Sequence, residues 1–176
     1  DDPAYIQCLS EPGSAAPVVE ATLAAMGPRI SRNGRYEMGY TLNVPLLNLF
    51  EQTDTPNGND WVINDRALER MVRTIAQADR HLVLYLFSTH FSAFAPIEQA
   101  LAADPANIGV TPDGPLSGDK HYGMHVYPWT LARTDNSLSL RRVQALNALI
   151  SKLCDQPVEV RDRVSAITLL GETHHL

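Results

Sequence analysis

Apolar residues along this chain form two kinds of pattern, and the two alternate. Continuous runs, as in His81-Leu82-Val83-Leu84-Tyr85-Leu86-Phe87 and Ala166-Ile167-Thr168-Leu169-Leu170, are those of strands covered on both faces of a parallel sheet. Between them lie stripes at helical spacing. Leu68, Met71, Val72 and Ile75 recur at i, i+3, i+4, i+7 behind a cap at Asn64 or Asp65, with Arg66, Glu69, Arg70 and Arg73 outward, which predicts the clearest helix of the chain. Three weaker stripes follow the same logic. A short helix over 18–26 turns Val19, Leu23 and Met26 inward behind Pro17, and another opens at Pro96, buries Ile97, Ala100 and Leu101 and ends at Asp104-Pro105. A longer one runs from a Ser137 or Ser139 cap to Leu153, with Val143, Leu146, Ile150 and Leu153 on one face.

Strands are further predicted over 39–44, stopped by Pro45, which has no backbone donor for a central ladder, and over 122–127 and 165–170. The turn-rich segments 51–60 and 105–120 read as loops. The resulting order is βαβαβαβ without a hairpin, and alternation of this kind makes a parallel α/β sheet with helical crossovers. Two architectures fit: the N-terminal half of a TIM (β/α)8 barrel, or an open doubly wound parallel sheet. On the first, residues 1–36 are an N-terminal arm with a short helix, and 37–176 are the first four strands and three helices of a barrel truncated at its C-terminus.

Composition narrows the classes without choosing among them. With 176 residues, 44% apolar and 19% charged, the chain is that of an ordinary globular domain. A net charge of -6 with both signs interspersed gives no footprint for nucleic acid. No apolar run approaches the roughly 20 residues that cross a bilayer. The start at Asp1-Asp2-Pro3, without methionine, fits a processed chain, secreted or periplasmic in origin, or a shortened one. Cys8 and Cys154 form no Cys-x-x-Cys unit and read as buried thiols, or as a disulfide if the protein is exported.

In both architectures ligands meet the carboxyl ends of the strands. That selects Asn43 and Glu51 after the first strand, His90 after the second, His125 and Trp129 after the third, and Glu172, His174 and His175 after the fourth. Neither Gly-x-Gly-x-x-Gly nor a phosphate-binding Gly-x-x-x-x-Gly-Lys is present, so no nucleotide cofactor is expected, and no Gly-x-Ser-x-Gly elbow offers a nucleophilic serine.

The final run Ile167-Thr168-Leu169-Leu170-Gly171-Glu172, preceded by three βα units, resembles the fourth strand of (β/α)8-barrel glycoside hydrolases of clan A type. In that clan a general acid/base glutamate ends strand four and a nucleophilic glutamate ends strand seven. The resemblance places Glu172 at the acid/base position. Gly171 stands where the clan usually has Asn, and a Gly-Glu pair there is more like the inverting β-amylases. The implied chemistry is protonation of a glycosidic oxygen by a carboxyl kept neutral through burial, with a second carboxylate beyond Leu176. Tyr127 and Trp129 then offer a flat face to a sugar ring, and Asn43, His90, His125 and His174 offer hydrogen bonds to hydroxyls. Neither metal nor cofactor belongs to this reading. A half-barrel leaves unpaired strand edges, so a homodimer or association with the remaining half is expected.

The same residues admit other readings. His90, His125, Glu172 and His174 near one barrel mouth are a ligand set for a metal-dependent hydrolase. A non-catalytic carbohydrate-binding or interaction module is the third possibility. For Tyr127 and Trp129 packing is the first reading, ahead of a sugar platform. His121 and His125 have i, i+4 spacing, but Gly123 and Pro128 argue against a helix there.

Overall fold

Three strands make the parallel sheet that the continuous apolar runs predict: β1 (Tyr40–Pro45), β4 (Leu82–Phe87) and β9 (Val164–Thr168), with β4 in the middle. The computed structural model describes residues 16–56, 58–87, 96–121, 124–130 and 132–168. The chain falls into two units: Asp1–Val44, Asp65–Leu86 and Leu149–Leu169 belong to the first, and Pro45–Asn64, Phe87–Ala148 and Leu170–Leu176 to the second. The architecture is mixed α/β.

In the first unit the central strand has the deepest cover, as its apolar run requires: Leu82, Leu84 and Leu86 are buried. Leu82 lies opposite Val164, and after a register shift Val83, Leu84 and Tyr85 pair with Ala166, Ile167 and Thr168. The run over 165–170 predicts a strand covered on both faces, yet Ser165 to Thr168 are exposed. An edge strand has a neighbour on one side only, and correspondingly less cover.

Helix α2 (Asp65–Gln77) buries Leu68, Val72 and Ile75, with Met71 half-buried, so its stripe is the one the sequence predicts. Helix α1 (Ala16–Met26) packs on α2. Its outward end differs from expectation, because Met26 is 70% exposed. The inward positions are Ala16, Val19, Glu20 and Leu23. Glu20 is inward because it meets a buried cation: Arg80 Nε donates to Glu20 Oε2 at 2.7 Å, and Arg80 Nη1 donates to the Met38 carbonyl. Arg163 donates to the Ala76 and Ile75 carbonyls at the C-terminal end of α2, where helix carbonyls lack intrahelical donors.

The second unit departs further from the sequence-based reading. After a 3-10 turn (Leu46–Leu49), β2 (Phe50–Thr55) and β3 (Gly58–Ile63) form an antiparallel hairpin, with Phe50 opposite Ile63 and Thr55 opposite Gly58. The segment read as a loop over 51–60 is therefore mostly strand. Its Thr, Trp and Val content favours a pleated surface, and the Asn57-Gly58 dipeptide is a hairpin signal in the sequence. Arg141 ties this hairpin to helix α4 (Ser137–Cys154), since its guanidinium lies 5.6 Å from the centre of the Phe50 ring and donates to Asp60 Oδ1 and the Trp61 carbonyl, each at 2.8 Å.

Helix α3 (Pro96–Ala102) packs on the Leu46–Leu49 turn, on β2 and on a second 3-10 turn, Pro105–Asn107. Two small ribbons follow: β5 (Val110–Thr111) with β6 (Gly114–Pro115), and β7 (Asp119–His121) with β8 (Met124–Val126), both antiparallel. The strand expected over 122–127 is thus a ribbon strand, not a member of the parallel sheet. The sheet has three strands rather than the four of the half-barrel expectation, because β8 finds its hydrogen-bond partner a few residues upstream. Along α4 the buried positions are Leu138, Ala145, Leu149 and Leu153, while Val143 is 54% exposed. The face is rotated from the one the stripe suggests. A four-residue helix, α5 (Val158–Arg161), precedes β9.

Cys154 is free and exposed rather than a buried thiol, and Cys8 lies outside the described residues. Among the described residues no helix is long and apolar enough to cross a membrane.

Candidate functional site

A cluster of polar and aromatic groups in the second unit is built around Asn107. Its neighbour Asp104 accepts the Ala106 N–H at 2.9 Å, which closes the Pro105–Asn107 turn and directs the Asn107 side chain inward. Asn107 is fully buried and satisfies three partners: Nδ2 donates to the Leu101 carbonyl at 2.7 Å and to Ser137 Oγ at 2.8 Å, and Oδ1 accepts the Leu138 N–H at 3.0 Å. One side chain thereby joins the end of α3 to the start of α4. Asn136 completes that start, accepting the Ser139 N–H at 2.9 Å as an N-cap and donating to the Ala106 carbonyl at 3.0 Å.

The backbone next to Asn107 carries the aromatic residues. Thr130 N–H donates to the Asn107 carbonyl and Gly109 N–H to the Pro128 carbonyl, both at 2.8 Å, and Ile108 bridges Trp129 in antiparallel sense. Trp129 N–H also donates to the Tyr127 carbonyl at 2.9 Å, which closes a three-residue turn at Pro128 between the two aromatic residues. Pro128 is buried, and Tyr127 and Trp129, both half-buried, stack with ring centroids 4.9 Å apart and planes 29° from parallel. The outcome is a fixed aromatic ledge backed by a buried hydrogen-bond hub.

A second chemical feature of this unit is Glu98, on α3. It is fully buried, and neither carboxyl oxygen accepts a hydrogen bond among the described residues. Burial pushes its pKa up to about 8, against the opposing field of Arg142 on α4. Burial in turn draws Arg142 down to about 10, so it stays charged at neutral pH. The sequence-based reading turned Ala100 inward on this helix. Ala100 is exposed, and Glu98 takes the buried place beside Ile97 and Leu101.

Of the residues singled out from the sequence, Tyr127 and Trp129 are brought together. Asn43 lies on β1 in the first unit and is exposed, and Glu51 is exposed on β2 in the second. His125 is a backbone member of β8, and its side chain lies outside the described residues, as do His90, Glu172, His174 and His175 altogether. Among the described residues no group of three or more His, Cys, Asp or Glu side chains could hold a metal ion, and the four residues of the metal-hydrolase reading are not in that set. Sequence reasoning missed Asn107, Asn136 and Glu98. Asp104-Pro105 and Asn136-Ser137 carry the turn and cap chemistry that points to the first two.

No protein-family model matches this chain, nor does any curated protein or solved structure.

Proposed function

We propose that this chain binds or acts on carbohydrate, with the Tyr127–Trp129 ledge as its sugar-ring platform. The observation that carries the proposal is the stacking of those two rings on a backbone held by hydrogen bonds to Asn107 and Gly109. The C–H face of a pyranose needs a flat apolar partner that keeps its shape when water leaves, and a ledge fixed before binding loses little entropy on binding. In the hydrolytic form of the proposal, Glu172 protonates the glycosidic oxygen as the bond to the anomeric carbon breaks, and a second carboxylate assists from the opposite face. His90, His125 and His174 are the proposed hydroxyl partners, and β1, β4 and β9 are taken as strands of a (β/α) barrel. The parallel order of those strands is compatible with this finer reading and with an open sheet alike.

A titration of the protein with a panel of soluble oligosaccharides, followed by isothermal calorimetry, tests it. Binding to at least one sugar is expected, weakened tenfold or more in Trp129→Ala, a loss of about 1.4 kcal/mol. Where hydrolysis is measurable, Glu172→Gln should abolish it and leave binding nearly intact. Absence of binding across the panel, or undiminished binding by Trp129→Ala, overturns the proposal.

A further inference from the structure

The turn over residues 29–38, in the first unit, concentrates positive charge in an acidic chain. No acid lies between Glu20 and Glu37, and the turn carries Arg29, Arg32 and Arg35 although the net charge of the chain is -6. Arg29 is engaged, its Nε with Glu37 Oε1 at 2.8 Å and its Nη1 with Asp79 Oδ1 at 3.2 Å. Arg32 and Arg35 are exposed and have no ion pair among the described residues, so they leave the turn with two unbalanced charges.

The turn is shaped by its own hydrogen bonds. Ile30 bridges Glu37 in antiparallel sense, Ser31 N–H donates to the Tyr36 carbonyl and Gly34 N–H to the Ser31 carbonyl, while Asn33 Oδ1 accepts from Ser31 Oγ and from the Arg35 N–H. Gly34 sits at φ +66°, a left-handed conformation that glycine adopts without strain. Opposed residues of an antiparallel pair share a face and successive residues alternate, so Ile30 and Tyr36 project from opposite faces of the turn. Both are nonetheless exposed, Ile30 by 52% and Tyr36 by 74%.

Charge and shape together select a partner. Unbalanced arginines call for an anionic one. A rigid protein surface covers one face of a narrow turn and leaves the other wet, whereas the headgroup layer of a bilayer is penetrable and closes around both. Tyrosine suits that depth, with its ring among acyl carbons and its hydroxyl among headgroups, and an arginine stem lies on apolar matter while its guanidinium stays with the anions. We propose that the 29–38 turn docks this chain peripherally on an anionic lipid surface, with Arg32 and Arg35 at the charged headgroups and Ile30 and Tyr36 entering the layer on either side of the turn. This is independent of the carbohydrate reading.

Co-sedimentation of the full chain with phosphatidylcholine vesicles, plain or with about one-third phosphatidylserine, tests the proposal. Binding to the anionic vesicles alone is expected, weakening as salt is raised. An arginine beside an anionic surface is worth about fivefold in affinity, so Arg32→Gln combined with Arg35→Gln should weaken binding roughly 30-fold. Both side chains are exposed, so the double variant is expected to keep the wild-type circular dichroism spectrum. No binding to the anionic vesicles, binding indifferent to salt, or binding undiminished in the double variant overturns the proposal. Ile30→Ser and Tyr36→Ser should each weaken binding severalfold, and a loss in one of them alone overturns the two-faced seating. Soluble poly-glutamate that binds more tightly than the vesicles, through the same two arginines, makes the partner an acidic protein and overturns the lipid assignment.

Discussion

Asn107 and Leu138, 31 residues apart in sequence, are joined by a buried hydrogen bond of 3.0 Å from the Leu138 N–H to Asn107 Oδ1. This bond satisfies a first-turn N–H of α4 that has no partner within the helix. A side chain on a distant turn does the work usually done by the capping residue itself. The same amide donates to Leu101 and Ser137, so removing it leaves buried donors and acceptors unmet on two helices. Asn107→Ala is expected to destabilise the protein by about 2–4 kcal/mol, read from the midpoint of urea denaturation. A midpoint within error of the wild type would show that the hub contributes nothing.

The cap of α4 separates two readings that the sequence leaves open. Ser137 and Ser139 are both plausible caps from their position, but it is the Asn136 side chain that accepts the Ser139 N–H. Ser139 Oγ instead donates to the Arg133 carbonyl in an exposed setting. Asn136→Ala should therefore lower stability by about 1 kcal/mol or more, and Ser139→Ala by a few tenths. Thermal melts of the two variants give the answer by their order: a larger loss in Ser139→Ala would reassign the cap.

In the first unit, Gly39 lies beside the backbone of His81 where β1 meets β4. A Cβ added there would run into the His81 carbonyl oxygen, and a main-chain atom cannot swing aside as a side chain does. Tyr40 N–H donates to that same carbonyl, so the displacement would act on the first bond between the two strands. Gly39→Ala is expected to destabilise the sheet by about 1–3 kcal/mol, with faster amide exchange over Tyr40 and Leu82 than over α4. Unchanged exchange at those amides would show that β1 shifts without strain.

Much of the secondary structure was legible because burial sets its period. The Leu68-Met71-Val72-Ile75 stripe gives α2, and the unbroken run through Leu84 gives the central strand, each signal being strong enough to override local noise. What failed was pairing, which periodicity does not encode. Met124–Val126 has the composition of a strand whether it joins a parallel sheet or folds back on Asp119–His121, and the choice rests on contacts with residues distant in sequence or adjacent to it. The same blindness hid the hairpin over Phe50–Ile63, where polar residues on an exposed strand look like loop.

The candidate site was legible in part for a similar reason. Tyr127 and Trp129 stand out by residue type and by their i, i+2 spacing. Glu98 does not, since a glutamate two residues into a short helix ordinarily faces solvent, and only the packing of α3 against three other segments places it inside. Asn107 is invisible for the opposite reason: an asparagine after a proline turn is commonplace, and its value lies in partners at Leu101, Ser137 and Leu138 that sequence reading cannot bring together.

The hub at Asn107 also orders events in time. A helix capped by its own flanking residue can begin as soon as its first turn forms, but α4 draws on the 104–107 turn for part of its capping, so that turn must be closed against it, across a loop of some thirty residues, before the helix start is complete. The first turn of α4 and the Asp104–Asn107 turn thereby form and melt together, and anything that pries the turn open frays the helix from its N-terminal end.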